Sequence, residues 1–238
     1  AEKILPDSKK EDDEDLRLKY IRPFDSSYAV GNSAIAVTQV KEEVDRMLDM
    51  VSKNISDAFD TLIKYDDKSR QKVEEREEYI DYLNKGISEY IVSLMSGEMN
   101  ADDSRKINGY YAIISNLERI GDHATNIAEY ADDMKKWELQ FSDNVLDELE
   151  EMKKQCISCL ENVKNVDPAD TGRVLNQAEI LEQKTDDMRD KYFKKQMQRL
   201  KKGKCKPQSG IVFSEVLTDF ERMGDHALNI AQQYKEMG

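Results

Sequence analysis

The sequence predicts an all-α fold: two tandem antiparallel three-helix bundles behind an N-terminal extension. Three observations carry that reading. Glycine and proline are scarce, 10 and 4 in 238 residues, while charged residues make up 36%. That composition suits long helices and argues against a turn-rich β architecture. Apolar residues recur at steps of three and four, the spacing of one helix face. Finally, the chain repeats itself. ERIGDHATNIA, beginning at Glu118, returns as ERMGDHALNIA at Glu221, 103 residues on (221 − 118), with nine of eleven positions identical. Such self-similarity marks one supersecondary unit used twice.

Residues 1–30 lie outside the repeat. Their acidic run EDDED at 11–15, flanked by Pro6 and Pro23, reads as a solvated linker, so partial disorder or an extended arm is expected there. The first repeat is assigned to 31–137 and the second to 138–238. In the first, helices are expected at about 34–65, 67–95 and 102–136. Val44, Met47, Val51, Ile55, Ala58 and Leu62 form the inward stripe of the first helix. Val73, Ile80, Leu83, Ile87 and Leu94 do so in the second, before Ser96-Gly97 breaks it. In the second repeat, helices are expected at about 142–165, 171–201 and 208–237. Asp167-Pro168 and the stretch from Gly203 to Pro207 supply the turns.

The formal charge of −13 removes nucleic acid from the expected partners, because an acidic protein gains nothing from counterion release. No stretch approaches the ~18 consecutive apolar residues of a membrane helix. Cys156 and Cys159 form a C-x-x-C, a spacing shared with redox and zinc motifs. They also continue the series Val145, Leu149, Met152, Cys156, Cys159, Val163, which is a helical core stripe, so packing is the expected role. Cys205 lies in a lysine-rich loop, and three cysteines fit a reducing compartment.

The carboxylates of the repeat are not scattered. With Glu118 at 0° and about 100° per residue, Asp122, Asn126 and Glu129 fall within about 80°. Ile113, Leu117, Ile120, Ala124 and Ile127 fall on the opposite side. Glu221, Asp225 and Asn229 reproduce the stripe, with Gln232 in the fourth position. One helix earlier, Glu77 and Asp81 share a face, as do Glu182 and Asp186. If neighbouring helices lie side by side, two E-x-x-x-D pairs meet across each groove. Two like charges 4 Å apart cost about 4 kcal/mol at a surface-like dielectric, and multivalent cations relieve that best. Arg76, Arg119 and Arg222 are the nearby arginines in sequence. Solvated acidic faces are ordinary, but here one spacing recurs four times inside near-identical segments. Gly121 and Gly224 are retained mid-helix at a cost of about 1 kcal/mol each, which implies close helix approach or room for a ligand. His123 and His226 flank the stripe, as extra ligands or as braces for a ligand.

These residues, E-R-x-G-D-H-x-x-N-I-A twice with an upstream E-x-x-x-D each time, resemble the PhoU family over about residues 34–238. The resemblance implies six helices in two bundles and a role as a negative regulator of phosphate uptake and its signalling. It also implies multinuclear iron or zinc clusters on the bundle surface. Carried over by position, Glu77, Asp81, Glu118 and Asp122 hold one site, and Glu182, Asp186, Glu221 and Asp225 the other. Asn126, Glu129, Asn229, His123 and His226 stand as further ligands or supports. The acidic linker, then the segment from Tyr20 to Asp25, then AIAVTQVKEEVDRM from Ala34 to Met47 are similar in arrangement to the soluble tail of bacterial sodium/phosphate cotransporter-like proteins. With Ala1 rather than Met as the first residue, they suggest an excised cytoplasmic tail. The expectation is therefore a cytoplasmic, membrane-tethered regulatory domain. Its partner would be a phosphate transporter's membrane domain in the same polypeptide. The alternative is a free-standing PhoU-type regulator. A homodimer, and inorganic phosphate held through the metal, complete the expected partners.

Enzymatic readings find little support. A ferritin-like di-iron site needs Glu-x-x-His, but His123 is preceded at −3 by Ile120 and His226 by Met223. No nucleophile–base arrangement and no glycine-rich phosphate loop is present. A plain helical scaffold without metal remains the other class of function.

Overall fold

The computed structural model describes residues 16–21 and 33–238. Six helices follow in order: α1 (Ser33–Ile63), α2 (Asp67–Met95), α3 (Ala101–Lys136), α4 (Asp143–Asn162), α5 (Thr171–Lys201) and α6 (Pro207–Met237). A single 3₁₀ turn, Pro168–Asp170, precedes α5. Among the described residues there is no strand. The helix ends obey local chemistry. The Asp66 carboxylate caps α2 by accepting from the Ser69 amide at 2.8 Å. Asn100 caps α3 through the Asp103 amide at 2.9 Å. Pro207 opens α6, where its missing N–H costs nothing. Gly203, with φ of +61°, supplies the left-handed residue between α5 and α6.

Helices α1, α2 and α3 form one bundle and α4, α5 and α6 the other, joined side by side through α3 against α6 and α1 against α4. The expected inward stripe of α1 is buried from Val44 to Leu62, as are Val73, Ile80, Leu83, Ile87 and Leu94 on α2. The buried residues of both bundles form one continuous apolar cluster. Cys156 and Cys159 belong to it as free thiols, and burial pushes both thiol pKa values up, so they pack rather than react.

The acidic run at 11–15 lies outside the described residues. Residues 16–21, within the expected linker, are docked on the first bundle. Ile21 is buried, and the amides of Lys19 and Tyr20 both donate to the Glu43 carboxylate. The Arg17 carbonyl accepts from Arg46 at 2.9 Å and from the Tyr79 hydroxyl at 3.1 Å. Glu43 is fully buried yet satisfied, because Arg46 pairs with it at 2.8 Å as well.

The mid-helix glycines mark where helices approach closely. A Cβ on Gly121 would lie 3.4 Å from Ile80 Cγ2 of α2. A Cβ on Gly224 would lie 3.0 Å from Thr185 Cγ2 of α5. Ile80 and Thr185 occupy equivalent places, three residues after Glu77 and Glu182. Thr185 is buried and hydrogen-bonded to the Leu181 carbonyl, and β-branching restricts its χ1, so it has little room to yield. Gly121→Ala should therefore be neutral or stabilising, by up to about 1 kcal/mol. Gly224→Ala should lower stability by about 1 kcal/mol despite the better helix propensity, or about 2–4 °C in melting temperature. Thermal denaturation of the two variants beside the parent checks this, and equal shifts of the same sign would contradict it.

Candidate metal centre

The apolar contact of α2 with α3 sets up the first groove. Ile80 and Leu83 on α2, and Leu117, Ile120 and Ala124 on α3, are buried. Residues on the flanking faces are thereby brought side by side along the outer seam. Glu77 and Asp81 come from α2, and Glu118 and Asp122 from α3. One oxygen each from Glu77, Asp81 and Asp122 lie within 4.8 Å of one another. Glu118 joins them electrostatically. Its pKa is raised by burial, and then by the charges of Asp122 and Asp81.

The groove is acid against acid. Burial, followed by repulsion from Asp81 and Asp122, pushes the Glu77 carboxyl up to about 7. Asp122 is raised by burial and by Asp81, while His123 and Arg119 pull it the other way. Arg76, a nearby arginine in sequence, turns to α1. It donates to Asp57 at 2.8 Å and to Asn54 at 3.2 Å rather than to the acids of the groove. Glu129 is exposed beyond the seam.

The second groove, between α5 and α6, repeats the design with changes. Glu182 is raised by burial and then by the charges of Asp186, Asp225 and Glu221. Asp186 is raised by burial and Asp225 and lowered by Arg189. Arg189 Nε stands 3.5 Å from Glu221 Oε2, and Arg222 reaches Asp225 at 3.1 Å. Among the described residues, this groove forms no group of three mutually close ligand atoms.

The histidines and asparagines of the repeat point across the seam between bundles. His123 Nδ1 lies 2.7 Å from Asp219 Oδ1, and His226 Nδ1 lies 2.9 Å from Asn116 Oδ1. Asn126 donates to Asp219 at 3.2 Å and Asn229 to Asn116 at 3.3 Å. The two imidazoles stack with centroids 5.7 Å apart. Asn116 donates its Nδ2 to the Ala112 carbonyl, so its Oδ1 is the acceptor toward His226. The Nδ1 of His226 therefore carries the proton and its Nε2 keeps the lone pair. Burial, then the neighbouring His123, lowers the His226 pKa. Asn116 and Asp219 are equivalent residues, 103 apart, and they escaped the sequence reading. The signal was available: each lies seven positions before its repeat's histidine, on the same helix face.

The description "PhoU domain" matches two stretches, 44–131 and 143–234, which together cover most of the chain. The chain belongs to the PhoU family. Among its relatives, the phosphate-specific transport system accessory protein PhoU homolog 1 of Thermotoga maritima is 29% identical over 209 residues, covering 85% of this chain and 88% of the relative. The PhoU homolog of Clostridium acetobutylicum is 26% identical over 199 residues, covering 82% and 88%. The fold matches the crystal structure of PhoU from Pseudomonas aeruginosa, with a TM-score of 0.76 at 21% identity, over 84% of this chain and 95% of that one. It also matches that of the phosphate transport system regulatory protein PhoU from Streptococcus pneumoniae, with a TM-score of 0.74 at 17% identity, over 87% and 96%. None of these relatives is named as a cotransporter, and the expected sodium/phosphate cotransporter tail finds no support in them. Among the described residues, no helix is long and apolar enough to cross a membrane.

The groove electrostatics of this PhoU-family chain give a pH dependence with a definite sign. Folded, Glu77 holds its proton up to about pH 7; unfolded, only to about 4.5. The folded state binds more protons across that window, so stability falls as pH rises through it. Glu77→Gln should flatten the fall and raise the melting temperature at pH 8 on the order of 2 °C, discounted for solvent screening. Melts in EDTA from pH 5 to pH 8 read this directly; an unchanged slope would remove Glu77 as its source.

Proposed function

We propose that this chain is a PhoU-type accessory regulator of phosphate transport that uses its acidic grooves to hold multivalent metal ions, without a catalytic step of its own. One observation carries the metal part of the reading: carboxylates from two neighbouring helices converge, with Glu77, Asp81 and Asp122 offering oxygens within 4.8 Å of one another. The donor set is all hard oxygen, which suits iron and zinc as well as magnesium, calcium and manganese. Glu77, Asp81, Glu118 and Asp122 would hold the ions in the first groove. A bound cation supplies the positive charge that these side chains lack and fixes α2 against α3.

The regulatory part rests on the named relatives, which are phosphate-specific transport system accessory proteins. A non-enzymatic role fits the site, since both histidines spend Nδ1 on the seam between bundles. The three free cysteines fit a reducing, cytoplasmic setting.

Metal analysis of protein loaded with iron or zinc should find several equivalents per chain. EDTA should remove them and lower the melting temperature by several degrees. Asp81→Asn with Asp122→Asn should abolish the first-groove share. In a bacterial strain lacking its own PhoU protein, the parent should restrain phosphate uptake and this variant should do so less. Metal-free protein indifferent to EDTA would leave the plain scaffold as the better account, and uptake unaffected by the parent would remove the regulatory role.

A further inference from the structure

The two acidic grooves differ in the charged residues that stand beside their acid pairs. Superimposing the repeats by their acid pairs places Glu78 opposite Gln183, Asn84 opposite Arg189 and Glu129 opposite Gln232. Gln183, Arg189 and Gln232 each make the second groove less negative, while Asp187 opposite Tyr82 and Asp190 opposite Lys85 add negative charge and raise Asp186. What sets the second groove apart is where Arg189 stands. The geometry follows the sequence. In the first groove three carboxylates converge, and among the described residues no ion pair reaches Glu77, Asp81, Glu118 or Asp122. In the second, Arg189 approaches Glu221 and Arg222 pairs with Asp225. Arg119, the first-repeat counterpart of Arg222, forms no such pair among the described residues.

We propose that Arg189 is a built-in counter-ion of the second groove, which makes the first groove the tight metal centre and the second a weaker one that loads only by displacing an arginine. This rests on the metal-binding reading above. Arg189 stands one helical turn beyond Asp186, where the first repeat carries the neutral Asn84. Its guanidinium is held beside the groove by Asp190 at 2.9 Å and by the ring of Phe193, 5.9 Å from its centre. It is flexible enough to leave, since its side chain is 38% exposed. The arginine therefore competes with a cation rather than blocking it. A metal ion entering this groove meets the guanidinium of Arg189 and must release Glu221 from its pair.

Titrating the metal-free full chain with zinc alone, in competition with a chromophoric chelator, tests this. Two classes of site are expected, separated by about tenfold or more in affinity. Asp81→Asn should remove the tight class and Asp186→Asn the weak one. Arg189→Asn should tighten the weak class by about tenfold, or reveal it where the parent shows only the tight one. Asn84→Arg should loosen the tight class by a similar factor. Far-ultraviolet circular dichroism of each variant establishes that it is folded. A single class of sites in the parent, or a weak class that Arg189→Asn leaves unmoved, would overturn the role of Arg189 and leave the metal reading standing. Absence of zinc binding in both grooves would overturn the two together.

Discussion

The apolar contact between α2 and α3 fixes the distance between two rows of carboxylates that repel each other. The contact is close because Gly121 lets the helix backbones approach over Ile80, and Gly224 does the same over Thr185. Burial of the apolar sides drives the helices together, and the acids on the outer seam have no independent choice of position. Burial, and then repulsion from Asp81 and Asp122, raises the pKa of Glu77. The packing of the core thus sets how closely the acids of the groove face one another.

The seam between bundles is built on different chemistry. Its polar groups are satisfied in pairs: a histidine and an asparagine from one repeat converge on one residue of the other. Asp219 is buried and takes a third partner, the Tyr130 hydroxyl, at 2.8 Å. A buried carboxylate with three partners is tolerable, whereas one left unpaired would be costly. The histidines thus hold the two bundles in register while standing next to Asp122 and Asp225 in the chain. Groove and seam are coupled through adjacent residues of the same helix turn.

Much of this was legible in the sequence because helical periodicity is a strong signal over thirty residues. The core stripe of α1, the turn at Ser96-Gly97 and the burial of Cys156 and Cys159 follow from spacing alone. The convergence of Glu77 and Asp81 on Asp122 was readable from phase together with the repeat. What phase does not give is the partner across a seam. Asn116 and Asp219 look like ordinary polar residues until the second bundle is laid against the first. Arg76 seemed available to the groove, yet its side chain reaches back to Asp57, a choice decided by tertiary packing. The docking of residues 16–21 was likewise hidden, because it depends on a buried glutamate in α1 that the stripe pattern passes over.

The pairing at the seam is symmetric in form but not in residue. His123 meets Asp219 while His226 meets Asn116, and α3 runs antiparallel to α6, so the contact has the form of an isologous interface between two like subunits. Between two identical subunits, an interface of this form would carry the same residue at both copies of the position that is split here between Asn116 and Asp219. With both repeats in one chain the two positions can differ, as Asn116 and Asp219 do, and the contact still closes because each histidine keeps a partner of its own.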